Sequence, residues 1–221
     1  MSFRAKNPWF SWRYVSDNAE TIRAALIEHL QFTGRAVLVA TVIGIPLAVV
    51  AYWSRRLTAP ILTSAGVLYT IPSLALFAFL APLLGTGPLT VITGLVLYAL
   101  LVIVRSTLTG LNQVPGDVRE AATAMGYGRF ARLLRVELPL ALPSMLTGLR
   151  LATVSTVALV TVGDLVGRGG LGSLILAGFR NNFYKAQIAT GTVLCVALAL
   201  VLDLILIGVG VALTPWRRRR A

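Results

Sequence analysis

Charge, cysteine and histidine are all scarce in this chain. Only 13% of its 221 residues are charged while 57% are hydrophobic, which leaves too little polar surface to cover a water-soluble globule. With a mean hydropathy of +0.81, lipid is the expected solvent. The lone Cys195 lies inside an apolar run, so one chain can build neither a disulfide framework nor a thiolate metal cluster. A single histidine, His29, leaves zinc chemistry without ligands. The two lysines, Lys6 and Lys185, both stand outside any G-x-x-x-x-G-K-[ST] pattern, so a nucleotide-hydrolysing site is not expected on this polypeptide. Acidic residues are few, giving a net charge of +12, but the basic residues sit between long apolar runs or at the C-terminus. That placement fits the positive-inside bias of membrane proteins and argues against nucleic acid as a partner. Met1 to Tyr14 lacks an apolar core of signal-peptide length, so the first spanning helix is expected to serve as the insertion signal.

What is present is a series of apolar runs. A spanning helix needs roughly 17–25 mainly apolar residues, and five stretches qualify: Ala36 to Trp53, Ala59 to Leu83, Leu89 to Leu111, Leu140 to Gly163 and Ile188 to Leu213. The fold class expected is therefore all-α and polytopic, with five transmembrane helices. Gly44, Pro46, Pro72, Pro143 and Gly191 inside these runs predict kinked, closely packed helices. The expected organisation is an extracytoplasmic segment over residues 1–30, a transmembrane domain over 31–216 and a basic tail over 217–221.

Five spans put the Arg55-Arg56 turn, the stretch from Asn112 to Pro139 and the tail from Arg217 to Arg220 on one side. These are the densest arginine clusters, so that side is expected to be cytoplasmic, with the C-terminus inside, the N-terminus outside and Trp53 and Trp216 as interfacial anchors. Against this, the outer N-terminal segment also carries Arg4, Lys6, Arg13, Arg23 and Arg35. Asp17 to His29, with Ile22, Ala25, Leu26 and Leu30 at helical spacing, predicts an amphipathic helix on the outer surface, with His29 as a surface or packing residue.

The inner stretch is too long and too patterned for a plain connector. Pro115 and Gly116 break the preceding helix, and Asp117 three residues before Glu120 matches a capping box. A short helix through Met125 should end at Gly126 in the left-handed conformation. A second helical piece should run from Arg129 to about Glu137, and Leu138-Pro139 should restart the chain into the fourth span. Such a helix, turn, helix element can be an interfacial hairpin held by lipid headgroups or a docking surface.

Glu120-Ala121-Ala122, then Gly126, then Val136-x-Leu138-Pro139 after nine further residues resemble the EAA loop of bacterial ABC-importer permeases, with Val136 in place of the usual isoleucine. The runs Tyr69 to Leu76, Gly148 to Thr153 and Gly169-Gly170-Leu171-Gly172 are similar to the permeases of the osmoprotectant branch, which handles glycine betaine, carnitine and choline. Arg168 departs from the small residue expected before Gly169. The resemblance covers nearly the whole chain from about Glu28.

What this resemblance implies is a type I ABC importer (MetI-like) permease in the bacterial inner membrane. Two permeases, identical or paralogous, would pair, and each would insert its 112–139 loop into a cytoplasmic ATPase subunit, where ATP and Mg are bound. A separate extracytoplasmic binding protein would deliver substrate. In the loop, Ala121 and Ala122 permit close approach and Gly126 permits the turn, while Glu120 either caps its helix or pairs with a basic group on the ATPase.

Elsewhere, Gly167-Arg168-Gly169-Gly170-Leu171-Gly172 formally fits G-x-G-x-x-G, but it follows a membrane helix rather than a strand, so a flexible or re-entrant outer gate turn is expected there. Arg150 and Asp203 fall at similar depths in the fourth and fifth spans, which predicts an ion pair packing those helices or, alternatively, lining the path. Tyr69 and Tyr98 are candidates for cation–π contact with a quaternary ammonium, or for helix packing. An intramembrane enzyme lacks the necessary residue clusters, and an ATP-independent secondary transporter has no use for a docking loop. A permease for another, amino-acid-like solute remains the alternative.

Overall fold

A computed structural model describes residues 7–167 and 169–215. Among the described residues every regular element is helical: α1 (Trp12–Asp17), α2 (Ala19–Trp53), α3 (Arg55–Thr70), α4 (Ser73–Leu84), α5 (Pro88–Asn112), α6 (Gly116–Ala124), α7 (Arg129–Arg132), α8 (Leu138–Val160), α9 (Leu171–Arg180) and α10 (Lys185–Leu213). A π turn, Leu133–Glu137, joins α7 to α8, and a 3₁₀ turn, Thr161–Val166, follows α8.

Four stretches are long and apolar enough to cross a membrane: Ala19–Trp53, Pro88–Asn112, Arg129–Val166 and Lys185–Leu213. Taking α3 and α4 as one broken span makes five. The break falls at Ile71-Pro72, where the proline lacks an N–H to continue the ladder and caps α4 in extended conformation. α10 is apolar on all sides and leaves Val193, Leu200 and Leu204 more than half exposed, a surface suited to lipid or to another chain.

The Asp17 to His29 segment is not a separate surface helix: Asp17 ends α1, and from Ala19 the chain runs through His29 as the first part of α2. At about 1.5 Å per residue its 35 residues span about 52 Å, far more than the ~30 Å hydrocarbon core, so its charged first part continues the rod outside lipid. Arg4, Lys6, Arg168, Trp216 and Arg217 to Arg220 lie outside the described residues.

The chain divides into two compact units. The first comprises Met1–Ala36, Ile71–Leu95 and Val154–Leu202. Its core packs Tyr14, Ile22 and Ala25 against Leu171, Leu174 and Ala186. Burial, with Tyr184 beside it, pushes the Tyr14 hydroxyl above the usual phenol range. The turn before α10 places Asn182 and Phe183 at φ of 52° and 55°, a region uncomfortable for side chains. The Asn7 amide steadies it by donating to the Phe183 carbonyl at 2.8 Å and accepting from the Lys185 N–H at 2.9 Å.

The second unit comprises Val37–Thr70, Val96–Thr153 and Asp203–Ala221. Ala48 and Ala51 of α2 pack on Val104 and Leu108 of α5, and Val49, Leu111, Leu133 and Ala141 form an adjoining cluster. α5 and α8 approach so closely that a Cβ on Gly148 would collide with the Ser106 side chain.

Candidate functional site

The 112–139 stretch forms a helix, a sharp turn and a second helix in the second unit. α6 begins at Gly116 after Pro115, whose fixed φ of −58° sets the entry. The expected capping box is absent. Asp117 sits inside the first turn, no side chain caps the helix, and the extended proline has displaced the cap two residues upstream. Asp117 there still suits the positive end of the helix dipole.

The other end of α6 follows the sequence closely. Gly126 has φ of 84°, its N–H donates to the Thr123 carbonyl at 3.0 Å, and the Tyr127 N–H donates to the Ala122 carbonyl at 3.1 Å. This is the paired bond pattern of a Schellman stop, which consumes the orphan carbonyls of the helix end and reverses the chain within two residues. Ala122 is buried beneath the turn, while Glu120, Ala121, Thr123 and Ala124 are exposed. Met125 and Phe130 project beside them at 70% and 64% exposure, so a small-residue surface is flanked by large apolar groups. A shallow groove of 300 Å³ lies along this face, lined by Arg119, Glu120, Thr123, Ala124 and Arg132.

This element is braced at three points. Arg132 donates from Nε to Glu137 Oε1 at 2.8 Å and from Nη1 to Thr123 Oγ1 at 2.8 Å, tying α6 to the foot of α8. Glu137 is 1% exposed and its Oε2 has no hydrogen-bond partner among the described residues, so Arg132 alone balances this buried carboxylate there. Arg119 donates to the Tyr52 hydroxyl at 3.1 Å. Arg129 stacks over the Trp53 ring, 4.4 Å from its centroid, and donates to the Trp53 carbonyl at 3.3 Å.

Leu138-Pro139 does not restart the chain. The helix continues from α7 into α8, with the Leu138 N–H reaching back five residues to the Leu133 carbonyl. The widened turn falls just ahead of Pro139, which cannot donate, so the ladder opens where it would have lost a bond in any case.

Arg150 and Asp203 meet, with Nε to Oδ1 at 2.8 Å and Nη2 to Oδ2 at 2.9 Å, a bidentate pair joining α8 to α10. Tyr69 and Tyr98 also meet, edge to face with centroids 5.6 Å apart. The glycine run of the first unit is packed instead of flexible. A Cβ on Gly169 would strike Asp164, one on Gly170 would strike the His29 backbone, and one on Gly172 would strike the Thr161 backbone. Gly167 and Gly170 take φ of 98° and 53°.

His29 is fully buried, not a surface residue. Its Nε2 lies 3.0 Å from the Val157 carbonyl and its Nδ1 accepts from the Leu171 N–H at 3.2 Å. The proton therefore sits on Nε2, and the ring staples α2 to α8 and to the start of α9. Sequence reasoning missed the ties made by Arg132, Arg119 and Arg129, and it passed over Arg105. Arg105 alone carried a usable signal, being a charge inside an apolar run seven residues from the end of α5.

Comparison with known proteins agrees with this architecture. Residues 40–219 match the family model described as "Binding-protein-dependent transport system inner membrane component". The osmoprotectant import permease protein OsmW of Salmonella typhimurium is 39% identical over 207 residues, covering 91% of this chain and 96% of that protein. The glycine betaine/carnitine/choline transport system permease protein OpuCD of Bacillus subtilis is 35% identical, covering 94% and 90%. Among solved structures, an inward-facing MetNI methionine ABC transporter aligns with a TM-score of 0.78 at 24% identity, over 87% of this chain and 95% of that one. A match across 180 of 221 residues, joined to relatives this similar over nearly their whole length, places the chain in the family of binding-protein-dependent transport system inner membrane components.

Proposed function

We propose that this chain is the translocating subunit of an ATP-driven importer for small quaternary-ammonium osmoprotectants such as glycine betaine, carnitine or choline. The observation that carries the coupling half of this reading is the exposed α6 turn, held by Arg132 to the foot of a spanning helix. A force applied to such a turn moves α8 with it instead of bending a loop. The substrate half rests on relatives whose names specify these osmolytes.

In this scheme the 112–139 loop faces the cytoplasm, the N-terminus lies outside, and α6 seats in a cleft of a separate ATPase subunit that binds ATP and Mg. Glu120 and Ala121 form the contact surface, Ala122 packs beneath it, Gly126 makes the turn, and Leu138 and Pro139 form the joint to α8. Two permeases pair, and an extracytoplasmic binding protein presents the substrate. ATP binding closes the ATPase dimer and draws the two loops together, and the spanning helices tilt between two discrete packings. Arg150 and Asp203 keep α8 and α10 moving as one body, while Gly167 and the packed Gly169, Gly170 and Gly172 form part of the outer gate.

The test is uptake into proteoliposomes holding the complete transporter, with binding protein outside and ATP inside. Glycine betaine, carnitine or choline should accumulate only with hydrolysable ATP. Accumulation without ATP would point to a secondary transporter, and uptake of amino acids alone would reassign the substrate.

A further inference from the structure

Arg105 lies within α5, one of the candidate spans, yet its side chain is exposed and has no hydrogen-bond or ion-pair partner among the described residues. An unpaired guanidinium at membrane depth is costly unless it meets water, a partner chain or a ligand. Here it opens onto a concave groove of 490 Å³, whose wall also holds Leu62, Gly66, Tyr69, Thr70 and Leu101. The guanidinium reaches over Gly66, where a Cβ would stand 4.0 Å from Nη2. Tyr98, paired edge to face with Tyr69, stands seven residues before Arg105 on the same face of α5, about 10 Å away along the axis. A fixed cation and an aromatic pair thus share one side of the unit, with a span between them suited to a small molecule.

Resting on the substrate class proposed above, we infer that this groove is a transient binding site for zwitterionic osmolytes. The carboxylate lies on Arg105 and the quaternary ammonium against the exposed ring of Tyr69, which the buried Tyr98 backs edge to face. Guanidinium offers a carboxylate two parallel donors, and aromatic faces attract a quaternary ammonium that has no hydrogen to donate. The same arginine discriminates against choline, which lacks the carboxylate and carries only a like charge. Glycine betaine and carnitine are therefore favoured over choline in the permease itself, whatever the binding protein delivers.

The assembled transporter, reconstituted with a binding protein that presents both osmolytes, should import glycine betaine in preference to choline. Arg105→Gln should lower glycine betaine uptake at least about tenfold, the scale of losing one bidentate charged contact, while choline uptake holds or rises. Arg105→Lys should fall between. Recovery of the intact complex should not change. Equal loss of both substrates, no change in either, a parent complex that moves choline but not glycine betaine, or dissociation of the two permeases would each overturn the inference. Dissociation would show that Arg105 pairs with the second permease. Failure of the parent complex to move any of these osmolytes would instead refute the substrate class, and the inference with it.

Discussion

Single residues set the sharpest demands on this chain. Gly126 must hold φ of 84°, where a β-branched side chain costs about 1–2 kcal/mol or more and destroys the helix stop. Gly126→Val should abolish co-purification of an ATPase subunit while leaving membrane insertion intact, and Gly126→Asn, which tolerates that conformation, should retain most of it. His29→Ala leaves the Leu171 N–H without its acceptor and opens a buried site, so we expect a loss of about 2 kcal/mol, read as a lower thermal unfolding midpoint in detergent. Neither role was legible to the same degree. A glycine two residues past a short polar helix announces a stop by its position, whereas the burial of His29 depends on α8 and α9, more than 120 residues away in the chain. The Arg150–Asp203 pair was legible because each charge interrupts an apolar run at a similar depth. Neutralising either should reduce the yield of monodisperse protein, and the exchange Arg150→Asp with Asp203→Arg should restore part of it.

At the scale of elements, the spans were readable and their ends were not. Apolar runs report where lipid can be, but they do not report whether a helix stops at the headgroups, so α2 extends seventeen residues earlier than its apolar run. Pro139 reads as a first-turn residue, yet the π turn ahead of it lets one helix carry both the loop and the span, a consequence of ladder geometry that residue types do not display. This continuity makes Arg132 a structural tie. Arg132→Ala leaves the buried Glu137 carboxylate uncompensated and should cost about 3 kcal/mol, measured by denaturant titration in micelles. Adding Glu137→Leu should recover much of that loss, since replacing both partners of a buried pair is often neutral.

For the whole molecule, two parts agree: apolar helix faces left exposed and a rigid handle at one end of a span. In the proposed mechanism a separate motor grips the α6 turn from the cytoplasm. Because Cys195 is the only cysteine, Cys195→Ser with Met125→Cys provides a single thiol at the exposed tip of that turn. A short bifunctional maleimide applied to inside-out vesicles holding the complete transporter should then link this chain to the ATPase subunit, with a yield that changes when ATP is added. Labelling of that thiol by a membrane-impermeant reagent in intact cells, with no link to the ATPase, would contradict the account.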